Sequence, residues 1–234
     1  MTSGTVVSRN CALFLDRLDQ VVERCGRKRE DITVVAVSKT RTIAEIEEAF
    51  DCGFREFGES KVLETQSKYA GVDRRFKLHM IGHLQSNKAE TAAKLFDVIQ
   101  SVDSLKLARI LAEEFGLSSK VGEILLEVNC SGEQQKFGFS PSEVVTAAHQ
   151  IFDMEQLTLC GLMTVAPFTE ETPRVRKAFQ ELRQLFEKIK SSHSDRQEFN
   201  TLSMGMSDDF EIAIEEGSNM IRIGTAIFGP RVYQ

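Results

Sequence analysis

Lys39 is the residue whose type and position most directly suggest chemistry. It stands in the segment AVSKT, two residues beyond the apolar run ITVVAV. A lysine in a partly desolvated pocket has a lowered pKa, and its free amine can condense with an aldehyde as a Schiff base. Taken alone, Lys39 is better explained as an ordinary solvated loop lysine than as a Schiff-base lysine. The choice between the two depends on which residues the fold brings near it.

A second group of candidates lies near the end of the chain, in the segment MIRIGTAIFG. Arg222 stands inside an apolar strand pattern, where an unpaired guanidinium is costly, so we expect it to face a fixed acceptor. Gly224 and Thr225 then leave the strand and open a helical turn. The bare backbone N–H groups of such a turn suit a phosphate.

The segment LSMGMSDDF supplies further polar residues shortly before that strand. Ser203 and Gly205 are expected to face the same corner, with Ser203 as a phosphate donor and Gly205 as a further contact. We interpret Ser207 as the N-cap of the following helix, because Asp208 and Asp209 favour the positive end of a helix.

Eight short strand-like runs alternate with helical patterns along the chain and would position these residues. The first, ITVVAV, comes after an amphipathic N-terminal helix, and the others are FREFG, FKLHMIG, FDVIQSV, EILLEVN, LTLCGLMTV, FNTLSMG and MIRIG. Eight βα units predict an α/β protein with a (β/α)₈ TIM-type barrel and one extra N-terminal helix. A doubly wound open sheet is the alternative, because the runs are short. In a closed barrel strands 1 and 8 are neighbours, so Lys39 and Arg222 would meet at the mouth, where the loops after strands 7 and 8 commonly hold phosphate.

Composition narrows the class of protein. The 234 residues are expected to form a single domain over residues 1–234. The formal charge of −6 argues against a nucleic acid partner, because a phosphate backbone favours a basic face. Five cysteines without a CxxC pair suggest neither a disulfide framework nor a metal site. No window approaches the roughly 20 apolar residues of a membrane span, and the first residues lack the apolar run of a signal peptide, so we expect a cytoplasmic protein.

Seven ordered segments together resemble the pyridoxal phosphate homeostasis protein family. They are AVSKT, FREFGES, IGHLQSNK, NCSGEQQKFGF, GLMTVAP, LSMGMSDDF and IRIGTAIFG, and they are distributed across nearly the whole chain. The resemblance implies that pyridoxal 5′-phosphate (PLP) is held as an aldimine on Lys39, with Ser203, Gly224 and Thr225 as phosphate contacts. Arg222 resembles the arginine that faces the pyridine nitrogen in the related alanine racemase barrel.

This resemblance implies storage, buffering or delivery of PLP, with PLP-dependent apo-enzymes as transient partners, rather than a dedicated turnover reaction. A cation beside the pyridine nitrogen disfavours its protonation and makes the cofactor a poorer electron sink. No second catalytic base is evident, since Tyr69 and Tyr233 are the only tyrosines. The alternatives are a PLP-dependent amino-acid racemase or lyase of the same barrel type, and a barrel that binds a phosphorylated sugar on Lys39.

Four other positions are candidate ligand contacts or metal ligands. Ser60 stands in FGES where the family usually has asparagine, and its shorter side chain can still donate and accept a hydrogen bond, directly or through water. Lys136, in the loop after strand 5, is a solvated lysine or a second phosphate contact. His79 and His83 are four residues apart but straddle a strand end, so they do not share the helical face of a metal pair.

Overall fold

Eight parallel strands form a closed barrel in the computed structural model, which describes residues 5–133 and 135–230. Strand β1 pairs with β8 as well as with β2, so the predicted barrel is confirmed and the open sheet is wrong. The strands are β1 Thr33–Val37, β2 Glu56–Glu59, β3 Lys77–Met80, β4 Val98–Val102, β5 Gly122–Glu127, β6 Leu157–Met163, β7 Thr201–Ser203 and β8 Met220–Ile223.

Helices alternate with the strands on the outside of the barrel. They are α1 Val6–Arg24, α2 Ile43–Asp51, α3 Val62–Lys68, α4 Ala89–Leu95, α5 Leu105–Leu117, α6 Val144–Phe152, α7 Thr172–Ser192, α8 Phe210–Glu215 and α9 Thr225–Phe228, with short 3₁₀ turns at Arg29–Asp31 and Ser86–Lys88. No helix in the described part of the chain is long and apolar enough to cross a membrane.

The predicted extra helix is α1, which precedes the first strand. Thr5 caps it, because the Thr5 hydroxyl accepts a hydrogen bond from the Ser8 N–H at 3.1 Å. Its apolar face buries Phe14 and Leu18 together with four other residues, and fully burying one such side chain contributes about 1.5–3 kcal/mol. The helix packs on α2, α8 and α9, and so covers the outside of the barrel where β1 and β8 meet.

Side chains alternate between the two faces of each strand, and the two faces differ in chemistry here. The helix-facing side joins one continuous apolar core. The barrel interior is instead rich in polar groups, because His79, Gln100, Ser203 and Arg222 are buried there and bonded to one another. A barrel of this type is usually filled by branched apolar side chains. The buried polar residues in this interior therefore indicate a functional role in addition to packing.

Candidate functional site

The mouth of the barrel receives Lys39 from the end of β1. Lys39 is partly buried, and the residue before it, Ser38, is fully buried. The Ser38 hydroxyl donates to the Glu59 carboxylate at 2.8 Å, and Lys68 donates both to that carboxylate and to the Ser38 carbonyl at 2.8 and 2.9 Å. The ion pair of Glu59 and Lys68 therefore holds the backbone directly ahead of Lys39 in place.

The turn after Lys39 is strained. Thr40 has a φ of 65°, in the left-handed region that a β-branched residue rarely adopts. Such a conformation costs on the order of 1–3 kcal/mol and persists only where the surroundings enforce it. The Thr40 N–H donates to the Glu64 carboxylate at 3.0 Å, and the Arg41 N–H donates to the Ser38 carbonyl at 2.9 Å. These two bonds fix the direction in which the chain leaves Lys39.

Arg222 enters the interior from β8 and meets fixed acceptors, as its place in an apolar strand predicts. One terminal nitrogen donates to the Ser203 hydroxyl and the other to the Thr164 carbonyl, both at 2.7 Å. Burial lowers the pKa of Arg222 to about 10, against the opposing effect of the negative charges of Asp209 and Glu127. The guanidinium is therefore a cation at neutral pH, deep in the site.

Glu127, the last residue of β5, is an acidic group whose charge interacts with Arg222, and Asp209 is another. Burial raises the pKa of Glu127 from 4.5 to about 7, and the positive charge of Arg222 limits the rise. This carboxyl group, which interacts with Arg222, therefore loses its proton at a higher pH than an ordinary glutamate does.

The loops after β7 and β8 meet at one corner of the mouth. The Ser207 hydroxyl oxygen accepts hydrogen bonds from the N–H groups of Gly224 and Ala226, each at 3.2 Å. Ser207 is therefore not the N-cap of α8, and that interpretation is wrong. Asp209 occupies the N-cap position without a side-chain capping bond, and its carboxylate accepts instead from the N–H of Met206 in the preceding loop at 2.5 Å.

Gly224 and Thr225 lie where the sequence places them, at the start of the last helix. Gly224 is the N-cap of α9, and Thr225 is its exposed first residue. A Cβ on Gly224 would lie 3.6 Å from the Cβ of Val37, which is the last residue of β1 and two residues before Lys39. Barrel closure thus brings this turn to the end of the strand that leads to the lysine. The Gly224 and Ala226 N–H groups already donate to Ser207. The groups that suit a phosphorylated aldehyde here are therefore the hydroxyls of Ser207 and Thr225 for the phosphate and the amine of Lys39 for the aldehyde.

Ser203 and Gly205 make contacts of their own in the structure. The Ser203 hydroxyl is fully buried in the interior, where it accepts from Arg222 and donates to the Gln100 side-chain carbonyl at 2.7 Å. Gly205 has a φ of 99°, and a Cβ there would approach the Cβ of Ala213 to 2.6 Å. Its carbonyl accepts from the Arg222 backbone N–H at 2.9 Å. Packing and backbone conformation account for this glycine fully.

The remaining predicted positions lie around the rim. Ser60 follows β2 and packs against Gly82, where a Cβ would come within 2.5 Å of the Ser60 carbonyl oxygen. Lys136 bridges two mouth loops, since it donates to the Ala166 carbonyl at 2.9 Å and pairs with Glu133 at 3.0 Å. Tyr69 is buried beside Glu59, and its pKa is raised by burial and, to a smaller extent, by the negative charge of Glu59. Tyr233 lies outside the described residues.

Two features of the site were missed by the sequence analysis. One is an acid–base pair on the rim: His83 Nδ1 lies 2.9 Å from the Asp103 carboxylate, and the ring stacks on exposed Phe137 with a centroid distance of 3.6 Å. The other is the interior set of polar residues to which Ser203 belongs. His79 and Gln100 carried the same signal as Arg222, a polar residue inside an apolar strand pattern, and could have been found by it.

Comparison with known proteins gives one consistent family. Residues 13–232 match the family model described as the N-terminal domain of alanine racemase. A pyridoxal phosphate homeostasis protein of Pasteurella multocida is 37% identical over 230 residues, which cover 97% of this chain and 98% of that protein.

Solved structures agree with the sequence match. The structure of PipY from Synechococcus elongatus with PLP bound has a TM-score of 0.78 and 30% identity, and the alignment covers 91% of this chain and 99% of that one. An alanine racemase of Clostridium difficile has a TM-score of 0.76 at 15% identity, over 97% of this chain and 58% of that chain. The second likeness concerns the fold alone.

Proposed function

The chain belongs to the pyridoxal phosphate homeostasis protein family, and from that membership we propose that it binds PLP through Lys39 and serves vitamin B6 homeostasis. The observation that carries the proposal is the closure of the barrel between β1 and β8. Closure places Gly224 against the residue two before Lys39, so an aldehyde can meet the amine while a phosphate meets the last helical turn. PipY, which shares the fold and 30% of its residues, has a structure with PLP bound.

The phosphate is proposed to lie at the corner formed by Ser207, Gly224 and Thr225. Ser207 joins the two loops there by accepting from two backbone N–H groups, and its own proton is left for an anion. Ser203 stays a prediction as a phosphate contact, but its hydroxyl is already engaged on both sides. The geometry therefore favours Ser207 in its place. For Ser60 and Gly205 we propose a role in stabilising the loops that face the ligand, without direct contact to it.

The proposed role is reversible holding of PLP rather than a dedicated turnover reaction. Bound PLP offers an aldehyde for covalent attachment and a pyridine ring for electron withdrawal. Arg222 is a buried cation, and a cation facing the ring nitrogen would keep that nitrogen unprotonated. The ring then withdraws electrons weakly, which suits storage and delivery to PLP-dependent apo-enzymes as transient partners.

A second candidate function is that of an amino-acid racemase or lyase, and one observation favours it. His83 is oriented by Asp103 at the rim of the mouth, the arrangement by which a carboxylate prepares an imidazole to accept or donate a proton. The pair would supply acid–base chemistry if an amino acid reached it.

Reductive trapping tests the primary proposal. The protein is loaded with PLP, reduced with borohydride, digested and mapped by mass spectrometry. We expect one pyridoxyl group per chain, on Lys39, and none on the Lys39→Ala variant. Lys61→Ala, which removes an exposed lysine near the same face, is the control and should label as the unaltered chain does. Equal labelling of the Lys39→Ala variant would refute the assignment.

A further inference from the structure

A chain of hydrogen bonds crosses the barrel interior from Arg222 to Glu56. Arg222 donates to Ser203 at 2.7 Å, and Ser203 donates to Gln100 at 2.7 Å. The Gln100 amide nitrogen lies 2.9 Å from His79 Nδ1, and His79 Nε2 lies 2.5 Å from the Glu56 carboxylate. These five residues come from five different strands, and we call them the interior relay.

The interior relay has one direction. A guanidinium can only donate, so the Ser203 oxygen accepts from Arg222, and with the Gln100 carbonyl turned toward Ser203 the hydroxyl donates to that carbonyl. The Gln100 amide then presents its N–H to His79 Nδ1, which leaves the ring proton on Nε2 facing Glu56. Every donor therefore points away from Arg222 and toward a carboxylate, and aligned bonds of this kind strengthen one another.

The two ends of the relay have different surroundings. Arg222 is 4% exposed and sits below the proposed phosphate corner, whereas the Glu56 side chain is 26% exposed at the first residue of β2. The other charged groups that act on the ends are Glu127 and Asp209 at Arg222, and Lys77 at Glu56. The relay thus connects a buried cation near the mouth to a partly exposed anion near the opposite end.

We propose that His79 and Gln100 are positioning residues of the cofactor site, which act by fixing Ser203 and, through it, the guanidinium of Arg222. The proposal rests on the proposed function, because its consequence is felt by a pyridine ring bound against Arg222. The protonation state of that ring nitrogen then depends on residues that do not touch the ligand.

A break at His79 has a defined effect on the rest of the relay. Without an acceptor at position 79, the Gln100 amide nitrogen loses its stronger acceptor and keeps the weak Met220 sulfur acceptor at 3.3 Å. If the Gln100 side-chain amide rotates by 180°, its nitrogen faces Ser203 in place of its oxygen. Both Gln100 and Arg222 then donate to the Ser203 oxygen, and the Ser203 hydroxyl proton loses its acceptor. Arg222 is then held less firmly although its own contacts are untouched by the substitution.

Two substitutions at one position separate this role from general packing. His79→Leu removes both polar atoms, whereas His79→Gln retains one acceptor and one donor, as a neutral imidazole does. Val98→Ala is the matched control, because Val98 is buried, pairs with His79 in register and shares the face of β4 with Gln100. It loosens the same part of the interior without touching a relay bond.

The first readout needs no cofactor. Hydrogen exchange of the Arg222 guanidinium, followed by nitrogen NMR on arginine-labelled protein, reports how firmly that group is held. We expect exchange at least about tenfold faster in His79→Leu, which corresponds to about 1.4 kcal/mol of lost ordering. Exchange in His79→Gln and Val98→Ala should stay within about twofold of the unaltered protein, a shift of under 0.5 kcal/mol.

The second readout is the nitrogen chemical shift of ¹⁵N-labelled PLP bound to the same variants. We expect the ring nitrogen to move toward its protonated value in His79→Leu and to return in His79→Gln. If wild-type protein does not take up PLP, the proposed function fails while the first readout still decides the positioning role. Unchanged Arg222 exchange in a folded His79→Leu variant would overturn the inference. If that variant does not fold, Ser203→Ala is used in its place, because it breaks the relay beside Arg222. Unchanged Arg222 exchange in Ser203→Ala would also overturn the inference.

Discussion

The Ser207 hydroxyl accepts a hydrogen bond of 3.2 Å from the backbone N–H of Gly224. This bond joins the loop after β7 to the turn after β8 at the corner proposed for the phosphate. Ser203, four residues earlier, bonds to Arg222 in the interior instead. We propose that these two serines of one segment act at the two ends of the ligand, Ser207 at the phosphate and Ser203, through Arg222, at the ring.

The two serines are therefore expected to differ in which ligand they affect. Ser207→Ala should weaken PLP binding, since a lost hydrogen bond to a charged group costs about 1.5–3 kcal/mol, a factor of roughly 10 to 150 in the dissociation constant. Binding of unphosphorylated pyridoxal should change little. Ser203→Ala should affect both ligands alike. Affinities from absorbance titration check this, and equal losses in Ser207→Ala would remove that residue from the phosphate corner.

The fold could be predicted from the sequence because its pattern is repeated. Each apolar run predicts one strand, and the count of eight predicts closure. Closure pairs β1 with β8, so that Val35 lies opposite Arg222 although the two residues are far apart in the sequence. The roles of Ser203 and Ser207 could not be separated in this way. β7 has only three residues, and a shift of its end by one residue reverses which side chains face inward.

The interior relay was also beyond the sequence analysis, for a different reason. Gln100 and Ser203 are 103 positions apart, and their contact depends on how deep each side chain sits inside the closed barrel. Strand register sets that depth, and register follows from packing that no local pattern shows. The sequence reveals that a buried polar residue needs a partner, but not which partner it has.

The ion pair of Lys68 and Glu59 is expected to stabilise the fold around Lys39. The Glu59 side chain is 1% exposed and that of Lys68 is 11% exposed, so Lys68→Met leaves a buried carboxylate without its cation. The unfolding free energy should fall by about 3–5 kcal/mol, as measured by denaturant titration. Lys94→Met removes an exposed partner of Glu90 and should change stability far less.

A second substitution tests the reason for that loss. If the uncompensated charge of Glu59 causes it, Glu59→Leu added to Lys68→Met should recover most of the stability, because an apolar pair can replace a buried ion pair. A double variant as unstable as Lys68→Met would show that packing of the lysine stem is responsible instead.

The stability of the protein should depend on Glu127 in a defined pH window. The folded pKa of about 7 lies above the ordinary value of 4.5, so the folded state binds a proton that the unfolded state releases. The contribution is fully present below about pH 4.5 and is lost as the pH rises through about 7. A shift of this size is worth about 3 kcal/mol.

Glu127→Gln should accordingly remove part of the pH dependence. Between about pH 5 and about pH 8 the unfolding free energy of the unaltered chain should fall by about 2–3 kcal/mol more than that of the variant. Glu143→Gln, at an exposed carboxylate, is the control and should follow the unaltered chain. Parallel curves for Glu127→Gln and the unaltered chain would show that Glu127 ionises normally.

The loaded protein is expected to exchange the α-proton of amino acids far more slowly than ordinary enzymes turn over, for which about 10 s⁻¹ is a median. The reason is the cation at Arg222, which leaves the bound ring a weak electron sink. Proton NMR in deuterated water measures the exchange directly, and a visible spectral shift on adding the amino acid shows that it has reached the cofactor.

His83→Asn tests the alternative, because it removes the one imidazole that Asp103 orients at the described rim. Rapid exchange with defined stereochemistry, abolished by Lys39→Ala and reduced about 100-fold or more by His83→Asn, the scale of a lost general acid–base group, would establish a racemase or lyase instead.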